Sequence, residues 1–204
     1  MFKIFLENIL IFIVLLNPIS KVILLASMES EITVEKLAQI SRQATVTAVS
    51  ILILFAFMGL FILNSLFRIE FSSLRVVGGI VLFMVGLRAL QKGEFFNSPG
   101  SPGRPRTEDM VVVPIASPLI AGPATIAAAI SQSALLNPYI VSLAIIAASL
   151  INYLFMIFSF RISRVLRALH LINPLIRITG LLIASLGMDM VMSGIKDFFT
   201  GINL

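Results

Sequence analysis

Two stretches of this chain contain no charged residue, and each is long enough to cross a membrane. The first covers residues 43–67, between Arg42 and Arg68, and the second covers residues 110–160. A helix that spans a bilayer needs about 20 apolar residues, so the first stretch predicts one span. The 51 residues of the second stretch predict two spans with a turn at Leu136–Tyr139, where an Asn-Pro pair favours a break.

The composition agrees with a chain that lies mostly in lipid. Hydrophobic residues make up 58% and charged residues 12% of the sequence, and the mean hydropathy is +1.05. These values exclude an ordinary soluble domain and a disordered chain. Continuous apolar runs, as opposed to alternating ones, favour helices over an outer-membrane barrel. We therefore predict an all-α membrane protein with six spans, at residues 4–26, 43–66, 71–91, 110–136, 138–160 and 174–196.

The loop at residues 92–109 is rich in proline and glycine and divides the chain into two halves of three helices. The first half covers residues 1–91 and the second covers residues 110–204. Eleven Lys and Arg residues lie on the side of this loop and four on the other, which predicts a cytoplasmic loop and two external termini. A cleaved signal peptide is the alternative for the first span, although no A-x-A site follows it.

The two halves show a weak internal repeat. Leu16-Asn17-Pro18-Ile19 matches Ala116-Ser117-Pro118-Leu119 at an offset of 100 residues, and Arg75-x-x-Gly78 matches Arg177-x-x-Gly180 at an offset of 102. Thr47 and Ser50 match Ser149 and Asn152 at the same offset of 102. With three helices in each half, the second copy enters the membrane upside down. We therefore predict two inverted three-helix repeats, an arrangement found in many transporters.

The prolines predict that helices 1 and 4 are broken, at Asn17-Pro18, at Ser117-Pro118 and again at Gly122-Pro123. Proline frees backbone polar groups, which are costly in lipid unless they line a cavity or are buried in protein. A simple kink is the alternative. A half-helix that starts after Gly122-Pro123 would point free N–H groups at an anion such as a carboxylate. The predicted substrate-binding residues are Asn17, Pro18, Ser20, Ser117, Pro118, Gly122, Pro123 and Thr125.

These motifs resemble the MarC-like membrane proteins, also called the neutral amino acid transporter family and distantly similar to the LysE exporters. The resemblance covers nearly the whole chain. It rests on Leu16–Ile19, Leu74–Ile80, Pro118–Pro123 and Arg177–Leu181. Lys21 and Asp189 depart from it, since neutral residues are expected there. The resemblance implies transport of small neutral amino acids such as glycine or alanine, with proton coupling as an open alternative, in the cytoplasmic (inner) membrane of a prokaryote.

Several polar residues within the spans carry two interpretations each. Ser142, Ser149, Asn152 and Ser159 form one stripe on the fifth helix, which predicts either interhelical hydrogen bonds or a solute path. Arg75 and Arg177 are candidates for gating or coupling, with snorkelling to the headgroups as the alternative, and snorkelling is the expectation for Lys21. Glycines 78, 79, 86, 180 and 187 predict close helix packing.

Asp189 is the only acid that lies deep within a predicted span. An ionisable residue there is a functional candidate by default, since a charge in the bilayer core costs several kcal/mol. If it is buried, it could bind and release a proton and so couple transport to a gradient. A packing role, or an early end of the last helix, is the alternative.

No cofactor, metal site or nucleic-acid partner is expected. The chain has no cysteine and only His170, and its basic residues lie at helix edges, as in topology-setting loops. No nucleophile–base pair or phosphate loop points to an enzyme. The leading prediction is a secondary transporter that works by alternating access on a small zwitterionic or polar solute. The alternative is a non-transporting membrane scaffold or assembly protein, and a homo-oligomer is compatible with either.

Overall fold

The computed structural model describes residues 2–26, 28–29, 32–62, 70–93 and 121–200, and all regular secondary structure in these ranges is helical. We number its helices α1 to α8 in chain order. Their bounds are α1 Phe2–Leu16, α2 Pro18–Ala26, α3 Val34–Phe61, α4 Phe71–Lys92, α5 Pro123–Leu135, α6 Pro138–Ile157, α7 Ser159–Ala168 and α8 Ile172–Thr200.

Five segments of the described chain are long and apolar enough to cross a membrane: Lys3–Ala26, Val34–Gly59, Phe71–Lys92, Pro138–Ile157 and Ile172–Thr200. The first of them contains both α1 and α2. A sixth apolar segment, Ala124–Leu135, is shorter. The prediction of an all-α membrane protein is confirmed. The linker at 94–109, and residues 110–120 of the predicted fourth span, lie outside the described residues.

Two predicted boundaries are wrong, and both errors lie where charged residues continue a helix. Helix α3 begins at Val34 and not near residue 43, with the Thr33 hydroxyl accepting a hydrogen bond from the backbone N–H of Lys36 at 3.3 Å. The apolar positions of its first turns, Leu37, Ile40 and Ala44, are buried at helical spacing. Uncharged length therefore locates the membrane-embedded part of a helix and misses its charged end.

The second error concerns the segment after the fifth predicted span. Helix α6 ends at Ile157, and α7 continues after Phe158 into residues that lie between the predicted fifth and sixth spans. Ser159, Phe160 and Ser163 form the buried face of α7, whereas its arginines lie on the exposed face. The segment is thus a short amphipathic helix, because its apolar and charged residues separate at a period of 3.6.

Helices α4 and α8 pack against each other in an antiparallel pair with their backbones in contact. A Cβ atom built on Gly79 would lie 2.5 Å from the carbonyl oxygen of Gly187, and one on Gly86 would lie 2.5 Å from that of Gly180. Farther along, a Cβ atom on Gly194 would lie 2.8 Å from the carbonyl oxygen of Ser72. Small residues every seven positions permit this approach, and the predicted close packing is confirmed.

The remaining helices form a second group with α6 at its centre. Helix α6 packs against α1, α2, α3 and α5, and α2 also packs against α7. Phe12, Leu16, Leu52 and Ile145 are fully or almost fully buried in the apolar core of this group. Helix α5 packs against both α3 and α4, so it connects the two groups.

We expect Gly86→Val to destabilise the α4–α8 pair strongly. The new side chain would meet backbone atoms, since the nearest is the nitrogen of Ala184 at 2.4 Å from an ideal Cβ, and backbone cannot rotate away. Overpacking of this kind costs about 3 kcal/mol. Thermal unfolding of the purified protein in detergent measures the effect. The matched control is Ser73→Val, at an exposed position of the same helix. Equal melting temperatures for both variants would contradict the close packing.

Candidate functional site

The first transmembrane segment is broken at Asn17, as its sequence predicts. Asn17 has a φ of 49°, in the left-handed region that asparagine tolerates better than most residues. Its Oδ1 accepts a hydrogen bond from the N–H of Ser20 at 3.2 Å, and the Ser20 hydroxyl donates to the Asn17 carbonyl at 2.8 Å. Asn17 therefore caps α2, whose first residue is Pro18, a position that needs no N–H donor.

This cap removes a partner from the last carbonyl of α1. In a continuous helix the N–H of Ser20 would bond to the carbonyl of Leu16, but here it bonds to Asn17. The Leu16 carbonyl instead accepts a hydrogen bond from the Nζ of Lys21. Lys21 is only 2% exposed, so the expectation that it snorkels to the headgroups is wrong. The freed carbonyl and the negative end of the α1 dipole draw its ammonium inward.

The break predicted at Gly122-Pro123 coincides with the start of α5. Gly122 is the N-cap residue and Pro123 is the first helical residue, and the first backbone hydrogen bond of the helix joins the N–H of Ile126 to the carbonyl of Gly122. The N–H groups of Ala124 and Thr125 precede this bond, so they have no intrahelical acceptor. Thr125 is buried. Ser117 and Pro118, which belong to the same prediction, lie outside the described residues.

The polar stripe of the fifth predicted span is buried in the group around α6. Ser149, Asn152 and Ser159 are each at most 1% exposed, and Ser142 is 7% exposed. Within the described part of the chain, the four side-chain oxygens have no hydrogen-bond partner. The Asn152 amide makes one weak contact, at 3.4 Å to the sulfur of Met156 on the same helix. The interhelical hydrogen bonds that a gluing role requires are therefore not seen among these residues.

Helices α1 and α3 pack against α6 and bring further polar groups to the interior. The Oδ1 of Asn8 on α1 and the hydroxyls of Ser41 and Thr45 on α3 are buried, again without a hydrogen-bond partner among the described residues. Buried polar groups in proteins normally have partners in protein or water. The group around α6 therefore has an unusually polar interior for a set of helices in lipid.

The predicted substrate-binding residues divide into two sets in the described structure. One set is Asn17, Pro18 and Ser20, which lie together at the α1–α2 break. Helix α2 packs against α6 and α7. The other set is Gly122, Pro123 and Thr125 at the start of α5. Helix α5 packs against α1 and α6, so the two sets lie on neighbouring helices. No hydrogen bond joins the two sets in the ranges that the structure describes.

The candidate gating residue Arg75 forms an ion pair that connects α4 to α8. Its Nη1 lies 2.5 Å from the Oδ2 of Asp197, with side-chain exposures of 12% and 20%, and its guanidinium lies 5.5 Å from the centre of the Phe71 ring. Arg75 therefore does not snorkel freely. Arg177 is exposed, and the described residues show no ion pair for it. The two arginines that the repeat matches thus have different environments.

Asp189 is not buried, which corrects the expectation on which its coupling role rested. It lies on the exposed face of α8, about 25 Å along the helix from Ile172. Gly180, Gly187 and Gly194 form the face that packs against α4, and Asp189 points away from it. The sequence reveals how deep a residue lies in a span but not which side of the helix meets protein.

The chemistry available at this site is that of neutral polar groups, helix ends and one cation. In the described ranges no cluster of three or more His, Asp or Glu side chains could hold a metal ion. The residue that the sequence analysis missed is Lys21. Its signal was present, since it follows Pro18 by three residues and can therefore reach a carbonyl that the break sets free.

We expect Asp197→Asn to lower the stability of the protein by about 2 kcal/mol, because it leaves the guanidinium of Arg75 partly buried and unpaired. The double variant Arg75→Asp/Asp197→Arg is expected to recover part of this loss. Thermal unfolding in detergent measures both, with Lys196→Gln, an exposed neighbour, as the control. An unchanged melting temperature for Asp197→Asn would show that the ion pair does not hold α4 and α8 together.

Comparison with known proteins places the chain in a family. The model of the MarC family integral membrane proteins matches residues 2–199. A UPF0056 membrane protein of Pyrococcus horikoshii is 33% identical over 95% of this chain and 94% of its own. The UPF0056 membrane protein YvbG of Bacillus subtilis is 30% identical, covering 90% of each chain. No solved structure is significantly similar. The chain is therefore a multi-pass integral membrane protein with bacterial and archaeal relatives, and it belongs to the MarC family.

Proposed function

We propose that this protein is a secondary transporter that moves small neutral amino acids, or similar small polar metabolites, across the cytoplasmic membrane by alternating access. The observation that carries the proposal is the stripe of Ser142, Ser149, Asn152 and Ser159, which is buried beside a broken helix and has no hydrogen-bond partner among the described residues. Under this proposal the protein is not an enzyme and needs no cofactor.

The stripe is difficult to explain as packing. An unpartnered polar group in an apolar interior costs about 1–3 kcal/mol, so a purely structural helix would gain stability from alanine or leucine at these positions. The broken helix α1–α2 adds to this cost, since irregular backbone in a membrane is tolerated only inside protein or beside a wet cavity. A water-accessible path that binds polar solutes explains both the polar stripe and the broken helix.

The α4–α8 pair supports the proposed inverted repeat. An offset of 101 residues, one fewer than the offset of 102 that matches Gly78 with Gly180, relates Gly79 to Gly180 and Gly86 to Gly187. The contacts are reciprocal, because Gly79 meets Gly187 and Gly86 meets Gly180. Reciprocal contacts between equivalent positions are what a two-fold axis in the membrane plane produces, and such repeats are typical of transporters.

One of the sequence matches on which the repeat rests pairs residues that differ in burial. Thr47 and Ser50 on α3 are exposed, whereas their matches Ser149 and Asn152 on α6 are buried. Equivalent helices of the two halves therefore contribute different faces to the interior. We therefore propose that the polar path lies mainly on the second half, with α1, α2 and α3 completing it from the first.

Helix ends define the solute that this path favours. The start of α5 offers backbone N–H groups that suit a carboxylate. The carbonyl at the end of α1 already accepts a hydrogen bond from Lys21, and its second lone pair suits a further donor. We propose a small zwitterion as the solute, with external termini, a cytoplasmic loop at 92–109, and the inner membrane as the location. The proposal also includes proton coupling. Asp189 does not support this part of it, because its side chain is exposed.

A non-transporting assembly protein is the second candidate, and one observation favours it. An exposed stripe on α8 follows a heptad pattern, as in helices that associate: Ile178, Leu182, Ser185, Asp189, Met192, Lys196 and Phe199. A carboxyl on this stripe is costly in lipid and would gain from a protein partner. This face lies opposite the α4 contact, so assembly and transport could also coexist.

The test is uptake into liposomes that contain the purified protein. Labelled glycine, alanine and larger amino acids are offered with and without a pH gradient, and protein-free liposomes measure leakage. We expect saturable uptake of one or more small neutral amino acids. Saturable uptake that ignores the pH gradient would remove proton coupling alone. Uptake equal to that of protein-free liposomes for every solute would contradict transport of this class.

We expect Asn152→Leu to reduce uptake about tenfold or more without lowering the melting temperature. The substitution removes a polar group from the proposed path, and its buried Oδ1 has no partner to lose among the described residues. Asn173→Leu, at an exposed position of α8, is the matched control and should behave like the wild type. A lower melting temperature together with unchanged uptake would mean that the stripe serves packing.

A further inference from the structure

Lys21 is a cation enclosed in a segment that crosses the membrane. Its side chain is among the largest that are fully buried in the described structure, and the residue is 2% exposed. A charge in this environment is costly unless it is paired or solvated by the protein. The one hydrogen bond that the structure gives it runs from Nζ to the carbonyl of Leu16. An ammonium group has three N–H donors, so two remain for other partners.

The described part of the chain provides no acid for Lys21. Glu7, Glu29 and Asp197 form ion pairs with Lys3, Arg164 and Arg75. The other described acids, Glu35, Glu70 and Asp189, lie on the exposed surface. The basic partners in these three ion pairs lie outside the polar interior. Lys21 lies inside it and has no acidic counter-ion among the described residues.

The position of Lys21 connects this charge to the proposed path. It lies one turn after the break at Asn17, on the helix that packs against both α6 and α7. Asn152, in the last two turns of α6, and Ser159, at the start of α7, contribute buried oxygens without partners in the described ranges. Lys21 thus adds a positive charge to a group of helices whose other buried polar side chains, among the described residues, are neutral.

We propose that the Lys21 ammonium binds the carboxylate of the transported solute. The inference rests on the proposed function and narrows its substrate class to small molecules that carry a carboxylate, as zwitterions or as monocarboxylate anions. The carboxylate supplies the missing counter-ion, and the neutral side chains of the stripe serve the rest of the molecule. A neutral polyol or a simple amine would leave the cation unpaired, so the site discriminates against both.

The first experiment measures binding without transport. The melting temperature of the detergent-purified protein is recorded with sodium acetate, and with sodium chloride and acetamide as references at matched concentration. We expect acetate to raise it by about 3 °C relative to both references. The shift should persist in Lys21→Arg and disappear in Lys21→Gln, which keeps an N–H donor for Leu16 but no charge. Lys92→Gln, an exposed lysine, is the control and should keep the full shift.

The second experiment compares uptake of labelled glycine with that of glycinamide, which lacks the carboxylate. We expect wild type and Lys21→Arg to favour glycine, and Lys21→Gln to lose about tenfold in glycine uptake. If monocarboxylates are the cargo, labelled acetate enters and glycine does not, and the dependence on Lys21 is the same.

The outcomes separate this inference from the transport proposal. A Lys21-dependent acetate shift with no uptake of any solute would support the carboxylate site and contradict transport. Saturable uptake that is equal in wild type and Lys21→Gln would overturn the carboxylate site and leave transport standing. The absence of an acetate shift in the wild type would also overturn it, as would an equal shift in Lys21→Gln.

Discussion

The structure depends on one constraint, which is that backbone polar groups inside a bilayer must find partners within the protein. At Asn17 the chain breaks its first span and still meets this constraint at short range. The Asn17 side chain takes the N–H of Ser20, and Lys21 takes the carbonyl of Leu16. Local hydrogen bonds therefore stabilise the break, and one of them places the charged side chain of Lys21 in the protein interior.

The two groups of helices solve the packing problem in opposite ways. In the α4–α8 pair, continuous helices satisfy their own backbones and approach closely through glycine, with Arg75 and Asp197 joining the two helices. In the group around α6, small polar side chains take core positions that leucine would fill in a purely structural bundle. A closely packed pair next to a polar-lined group is a division that suits the alternating access that we propose.

The features that could be predicted from the sequence are those that a single residue type determines locally. Proline, asparagine and glycine locate the break at Asn17, the start of α5 and the α4–α8 contact, and the gaps between charges locate the spans. The side of a helix that faces protein is different, because it depends on neighbours that a lone sequence does not specify. Asp189 and Lys21 are both ionisable residues in apolar spans, and the expectations for them were reversed: Asp189 is exposed and Lys21 is buried.

Lys21 also shows how a local requirement can become a functional group. The freed carbonyl of Leu16 needs only one donor, which a neutral side chain could supply. An ammonium supplies more than is needed, namely two further donors and a full charge that no described acid balances. A side chain that served only to satisfy the Leu16 carbonyl would gain nothing from the extra donors and the charge, since burial of a charge lowers the stability of the folded protein. A side chain that binds an anion does gain from the charge, because pairing with the bound anion offsets the free-energy cost of burying the ammonium.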